Sequence, residues 1–292
     1  MATQLVPLPE VERLSASVLR ILGGNPGKFT LQGTNTYLIG RGPRRLLIDT
    51  GEGLPRWSTL LQSVLTDEKA TVHEALITHW HHDHVNGIPD LLRICPQATV
   101  YKHQPSDGQV DIYDGQVFKV DGATLKAFHT PGHAVDHMSF IFEEEDAIFT
   151  GDNVLGHGTA VFEDLNTYIS SLNKMKVAVS GRAYPGHGAV IGSATAKITD
   201  YIKHRQQRED EVSRVLKYGT VDIDRSSPNP EQVSSWTPIE LVKVIYRGVP
   251  ESLHLPASHG VTLILNKLEN EGKVKHEGAS GKWSWNTQRP AL

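Results

Sequence analysis

Cysteine is nearly missing from this chain of 292 residues: Cys95 is the single one. No intramolecular disulfide can therefore form, a zinc site built on cysteine thiolates is excluded, and a reducing, cytoplasmic location is the expectation. Long hydrophobic runs are missing too, and no stretch approaches the roughly 20 apolar residues of a membrane span. The segment Met1–Leu14 sets Glu10 and Glu12 against Arg13 alone and carries no apolar core, so it fits neither a secretory signal nor an arginine-rich transit peptide. Positive charge is not in excess: 29 Lys and Arg face 33 Asp and Glu, a net charge of −4. That balance lacks the basic footprint of a dedicated nucleic-acid binder. Internal repeats and low-complexity tracts are absent. What the chain has in quantity is histidine, 15 of them. With 38% hydrophobic and 21% charged residues, it is long enough for one large domain with an appendage.

Short β-type runs separated by Gly and Pro predict strands at Val18–Leu22, Thr36–Ile39, Arg45–Asp49, Glu74–Thr78, Thr99–Tyr101, Thr124–Phe128 and Ala147–Thr150. Helices are predicted at Trp57–Leu65, Ile88–Ile94 and Tyr168–Val177, with a long amphipathic one at Ala194–Lys217. Strands with interspersed helices argue for a layered α/β architecture. Asp222–Ser235, with Pro228 and Pro230 among polar residues, reads as a linker. Beyond it, Thr237, Pro238 and Glu240 supply an N-cap, a first-turn proline and a capping-box glutamate ahead of Leu241, Val242, Val244 and Ile245. A second helix is expected from about His259 to Asn270, then strand-like pieces around Val274 and Trp283–Trp285. Helices followed by a small hairpin suggest a winged-helix-like unit. The expected organisation is a catalytic domain over 1–221, a linker over 222–235 and a winged-helix-like domain over 236–292.

The strand Glu74–Thr78 leads into His79-Trp80-His81-His82-Asp83-His84, four imidazoles and a carboxylate in six residues. Imidazole nitrogen and carboxylate oxygen are ligands that zinc accepts. Three further places offer the same chemistry beside a Gly or Pro turn: Pro131-Gly132-His133, Thr150-Gly151-Asp152-Asn153 and Tyr184-Pro185-Gly186-His187-Gly188. In this order of motifs, over about Ser17 to Arg205, the chain resembles the metallo-β-lactamase superfamily. The resemblance implies a four-layer αββα sandwich with a metal site at one edge of the paired sheets. It further implies that His79, His81 and His133 hold one metal, that Asp83, His84 and His187 hold the second, and that Asp152 bridges them. Asp83 and Asp152 are thereby the carboxylates expected to serve catalysis. Asp49 matches a position that orients a metal ligand, the alternative being a turn-capping aspartate.

The donor set of His and Asp without Cys suits two Zn²⁺ and leaves Mn²⁺ or Fe²⁺ open. The family's di-iron branch carries a glutamate where this chain has His81, which favours zinc. Two such ions bring the pKa of a shared water toward about 7 and polarise a carbonyl or phosphoryl oxygen, so the implied chemistry is hydrolysis. His82 is not a ligand in the pattern. His137 reads either as a core histidine or as a neighbour of the ligands, and the run Gly33-Thr34-Asn35-Thr36-Tyr37 either borders the substrate cleft or only makes a turn and strand start. Ala134 stands where relatives commonly have a threonine, which removes one hydrogen bond near the site.

True β-lactamases of the commonest type use a cysteine ligand that Cys95 cannot supply from its position. Glyoxalase-type thioesterases share the His79–His84 motif, but their glutathione-binding region has no clear match. The resemblance is greater to the lactamase-like subgroup that contains an animal mitochondrial endoribonuclease and the fungal thioesterases of atrochrysone carboxyl ACP type, which act with non-reducing polyketide synthases. The stretch Asp152–Leu165 and the run Lys102-His103-Gln104-Pro105 favour the fungal thioesterases. The implied activity is hydrolysis of an acyl thioester on an acyl carrier protein domain to release a polyketide carboxylic acid, with single-strand RNA cleavage as the alternative. A thiol of pKa near about 8.5 leaves without protonation, whereas an RNA alkoxide benefits from a placed acid, and no such acid stands out. From Ser235 onward the chain has seven basic and five acidic residues, a poor phosphate-binding surface. That unit is expected to serve as a lid, a scaffold or a homodimer surface. Lys203, Arg205 and Arg208 are carrier-docking candidates, or simply a solvated helix face.

Overall fold

The computed structural model describes residues 5–221, 235–251 and 254–287. Its first sheet runs in chain order: β1 (Val11–Arg13), β2 (Val18–Leu22), β3 (Asn35–Ile39), β4 (Arg44–Ile48), β5 (Thr71–Ile77), β6 (Thr99–Lys102) and β7 (Val110–Asp111). Pairing is antiparallel from β1 to β4 and parallel from β4 to β7. Parallel neighbours need crossovers, and α1 (Pro55–Asp67) supplies one while α2 (His82–Val85) and α3 (Ile88–Ile94) supply the next. The second sheet has the order β12-β11-β10-β9-β8, from β8 (Val117–Val120), β9 (Ala123–His129), β10 (Met138–Phe142), β11 (Ala147–Gly151) and β12 (Ala183–Pro185).

Side chains alternate across a strand, and that alternation divides the core in two. Val18, Tyr37, Ile39, Leu46, Ile48 and Leu76 pack with Phe118, Leu125, Met138, Phe140 and Phe149 of the second sheet. Their neighbours Leu19, Ile21, Leu38, Leu47, Ala75 and Ile77 pack instead with Trp57, Leu61, Val64 and Leu65 of α1 and Leu91 of α3. The i, i+4, i+7, i+8 spacing of the α1 residues puts them on one helix face. Ile148 points opposite to Phe149 yet is also fully buried, as are Tyr168, Leu172 and Met175 of α4 (Leu165–Ala178) and Ala194 and Ile198 of α5 (Ala194–Tyr218). These are the four layers expected.

The chain divides into two compact units, Met1–Glu163 with Thr167–Tyr201, and Asp164–Asn166 with Ile202–Leu292. The second holds the later turns of α5, then α6 (Pro238–Ile245), α7 (His254–Asn270) and the hairpin β13 (Val274–Glu277) with β14 (Lys282–Trp285). The predicted capping box is present: Thr237 accepts from Glu240 N, and Glu240 accepts from Thr237 N at 2.8 Å. Within this unit Glu209 of α5 ion-pairs with Lys267 at 2.8 Å, and the Arg208 guanidinium lies 4.7 Å from the Tyr246 ring centre. The predicted linker, apart from Ser235, lies outside the described residues.

Several elements escaped the sequence reading for identifiable reasons. β1 and β7 are short edge strands, and β12 has three residues and ends in proline. β10 is apolar on both faces, so it shows no alternation.

Candidate metal centre

Every candidate ligand sits beyond the carboxyl end of a strand, where open α/β sheets commonly place their sites. His79–His84 follow β5, His133 follows β9, Asp152 follows β11 and His187 follows β12, while Asp49, expected to orient a ligand, follows β4. The segment His79–His81 is not helical, and its alternate side chains diverge. His79 Nε2 and His81 Nδ1 face each other at 2.9 Å, whereas Trp80 between them is left 53% exposed. The helical turn α2 then swings Asp83 and His84 inward.

Three sets of ligand atoms converge, each within 4.8 Å: His79, His81 and His133; His79, His84 and Asp152; Asp83, His84 and His187. His133 Nε2 is 3.0 Å from His81 Nδ1. His187 Nε2 lies 3.2 Å from both Asp83 Oδ2 and Asp152 Oδ2. Asp152 also reaches His84 Nε2 at 3.5 Å and His133 Nε2 at 3.7 Å, so it stands between the two histidine groups. All seven residues named from the motifs are thus brought together. His82 is not among them, since its ring is 69% exposed and lies 3.5 Å from Glu52.

Partners behind the imidazoles decide which nitrogen faces the centre. Val161 O can only accept, so His133 Nδ1 at 2.8 Å carries the proton and Nε2 presents a lone pair. His84 Nδ1 donates to Asp49 Oδ2 at 2.7 Å, which likewise directs Nε2 inward. Asp49 also accepts from Thr78 N at 2.8 Å and from Thr78 Oγ1 at 2.9 Å; with its proton committed there, Thr78 Oγ1 accepts from His79 Nδ1 at 2.9 Å. One carboxylate therefore orients two histidines, the arrangement that raises imidazole basicity and fixes the ring.

The centre calls for positive charge. Burial pushes Asp83 and Asp152 up, but the imidazoles of His187 and His84 beside them outweigh it and hold both carboxyls well below the usual range. Burial pushes His187 down, but Asp152 and Asp83 outweigh it and raise its pKa to about 9; His84 is raised in the same way by Asp49 and Asp152. His81 is lowered by burial to about 4, and His79 is lowered as well. His84 Nε2 and Asp152 Oδ1 are buried without a hydrogen-bond partner among the described residues. Unpaired buried polar atoms are costly, and two that face each other fit a divalent cation between them.

Residues 29–187 match the family model of the metallo-beta-lactamase superfamily, and residues 237–283 match the beta-lactamase associated winged helix domain. The chain belongs to the metallo-β-lactamase superfamily. It is 45% identical over 284 residues to the lactamase-like protein ptaB of Pestalotiopsis fici, covering 96% of this chain and 89% of that one. It is 46% identical over 286 residues to an atrochrysone carboxyl ACP thioesterase of Aspergillus chevalieri, covering 97% and 91%. Among solved structures, a beta-lactamase domain protein from Burkholderia ambifaria superposes with a TM-score of 0.78 at 16% identity, over 98% of this chain and 96% of that one. That likeness concerns the fold.

Within this superfamily fold, the residues that support the centre come from places the motifs do not mark. Thr34 Oγ1 donates to Asp83 Oδ2 at 2.9 Å and is itself held by Asn25 Nδ2 at 3.0 Å, so the Gly33–Tyr37 run does border the site. His137 Nε2 accepts from the backbone N of Asp152 at 3.2 Å, which settles its role as a neighbour of the ligands. Gly151 (φ 48°) makes that approach possible, because a Cβ there would meet His137 Nε2 at 2.6 Å. The partners of Thr34 are 9 and 49 residues away in sequence, and no local pattern reveals such pairings. A cavity of about 270 Å³, lined by Lys28, Phe29, Leu155 and Val161, opens onto His133 and Asp152.

Proposed function

We propose that this chain is a dinuclear metal-dependent thioesterase that hydrolyses an acyl thioester on the acyl carrier protein domain of a non-reducing polyketide synthase. The product is a polyketide carboxylic acid. The observation that carries the reading is near-complete alignment, at 44–46% identity, with proteins named atrochrysone carboxyl ACP thioesterase. In this reading His79, His81 and His133 would hold one ion, Asp83, His84 and His187 would hold the other, and Asp152 would serve both. Zinc is the metal proposed, from a donor set of imidazoles and carboxylates. When bound, such a pair activates water near neutral pH and polarises a carbonyl oxygen.

The chain's own residues do the rest. Asp49, directly and through Thr78, keeps His84 and His79 in the tautomer that presents Nε2. His137 anchors the Asp152 backbone. The leaving thiolate requires no proton donor at its pKa of about 8.5. In the winged-helix unit, Lys267 is held by Glu209 and by Glu271 at 2.6 Å, so it is not free for phosphate. That supports an acyl carrier protein partner over RNA, with the unit serving as a scaffold or a contact between two copies. No helix among the described residues is long and apolar enough to cross a membrane, and the cytoplasm is the proposed compartment.

The test compares zinc-loaded protein with its Asp152→Ala variant on a carrier-bound acyl thioester and on single-stranded RNA. Thioester cleavage that falls by more than about a hundredfold in the variant, beyond the usual effect of outer partners, with RNA intact, supports the reading. RNA cleavage with an inert thioester overturns it in favour of an endoribonuclease.

A further inference from the structure

A second depression lies beside the metal centre and the proposed chemistry leaves it unused. It is a groove of about 550 Å³ with Trp80, Val85, Ile88 and Pro89 along its lining together with Gln104 and Asp136. That volume is in the range of small-molecule sites. Trp80 belongs to it by necessity. The alternation that turns His79 and His81 toward the metal turns the indole out, 53% exposed, and its ring stays 4.5 Å from that of His81.

The polar side of the groove is built by the Lys102–Gln104 run. Lys102, buried, spends its ammonium on three acceptors: His103 O at 2.9 Å, Gln104 O at 3.1 Å and Asp136 Oδ2. Gln104 in this run takes φ 53°. Asp136 is 2% exposed, and its other oxygen, Oδ1, is buried with no hydrogen-bond partner among the described residues. Lys102 has no donor left for it. The groove therefore pairs a flat apolar wall with an acceptor that lacks a donor, an incomplete set that a ligand can complete.

We propose that this groove is the acyl-binding site, that its ligand is a flat aromatic acyl group bearing hydroxyl donors, and that Trp80 and Asp136 select it. The ring lies on Trp80, a hydroxyl donates to Asp136 Oδ1, and the carbonyl is thereby set at His81. The cavity over His133 and Asp152 is left for the thiol arm. The inference rests on the thioesterase reading for its substrate but not for its binding chemistry.

The experiment measures calorimetric binding of 2-naphthol and its methyl ether to the zinc-loaded full chain, alongside hydrolysis of hydroxynaphthoyl and octanoyl thioesters. Trp80→Ala and Trp80→Phe are made, with zinc content checked in each. We expect 2-naphthol to bind, the ether to bind at least about threefold more weakly for want of the donated hydrogen bond, and Trp80→Ala to lose about tenfold in 2-naphthol affinity. Trp80→Phe restores most of that loss. The preference of the enzyme for the aromatic thioester falls in Trp80→Ala through KM. Binding of naphthol and ether with equal affinity, no binding of either, or an unaltered preference in Trp80→Ala overturns the groove assignment. If binding follows the expected pattern but neither thioester is cleaved, the groove stands and the thioesterase reading fails. If both thioesters are cleaved without preference, the reverse holds.

Discussion

Replacing Asp49 by asparagine isolates the one carboxylate that governs two histidines. Asp49 is 1% exposed and holds φ 58°, a conformation that asparagine also tolerates, so the backbone is spared. The carboxylate accepts from Thr78 N at 2.8 Å, Thr78 Oγ1 at 2.9 Å and His84 Nδ1 at 2.7 Å. An amide has a single oxygen, so its NH2 must meet one of those donors. Two buried donors in opposition cost about 1–3 kcal/mol. Relief comes only if His84 moves its proton to Nε2, which turns an N–H toward the metal. Both outcomes weaken binding, by about 10–100-fold for a partner of this kind, or about 1.4–2.7 kcal/mol. A stepwise zinc titration against a chromogenic chelator at pH 7.5, with circular dichroism to verify folding, reads the effect. The step assigned to Asp83, His84 and His187 should lose more, because His79 is reached only through Thr78. Unchanged affinity in both steps, or a loss confined to the His79 group, refutes the reasoning.

Zinc affinity should rise with pH. His187, raised to about 9, and His84, raised as well, hold protons in the metal-free protein that the ion must displace. His81, near 4, has none to give above pH 6. The logarithm of the binding constant should climb by about two per pH unit between about pH 6.5 and 8.5, and a flat profile contradicts this. Gly151→Ala places a Cβ 2.6 Å from His137 Nε2 at φ 48°. It should lower unfolding free energy by about 2 kcal/mol and weaken zinc binding through Asp152, and a denaturant melt equal to wild type argues otherwise. Thr237→Ala removes the side-chain cap of α6. It should cost about 1 kcal/mol in the amide exchange of that helix while zinc stoichiometry stays the same.

Four of the candidate ligands are legible as one dense run, His79 to His84, and the other three because each follows a glycine turn: Gly132 before His133, Gly151 before Asp152, Gly186 before His187. α3 was read at its observed bounds, Ile88–Ile94, since Gly87 and Pro89 mark its start. The pattern predicts α7 from about His259, whereas it begins at His254, with Pro256 in the first turn, where a helix accepts proline. Sheet membership was not legible, because apolar strands such as Met138–Phe142 look alike whichever sheet takes them. Nor are Thr78 and the Val161 carbonyl, whose roles depend on register between distant segments, while for Thr34 the Gly33–Tyr37 run signals a border of the cleft but not its partner Asp83.

The candidate ligands come from both sheets, His79 to His84 from one and His133, Asp152 and His187 from the other. Asn35 crosses between them, donating from its backbone N to Gly186 O at 2.7 Å and from Nδ2 to Pro185 O at 2.8 Å, while Tyr37 Oη donates to Pro185 O at 2.6 Å. During vectorial synthesis the centre is therefore incomplete until the segment around His187 has left the ribosome and docked on β3. Contacts of such long sequence separation form late. A nascent chain halted before β12 carries six of the seven candidate ligands and lacks only His187, so the set of Asp83, His84 and His187 is the one that closes last.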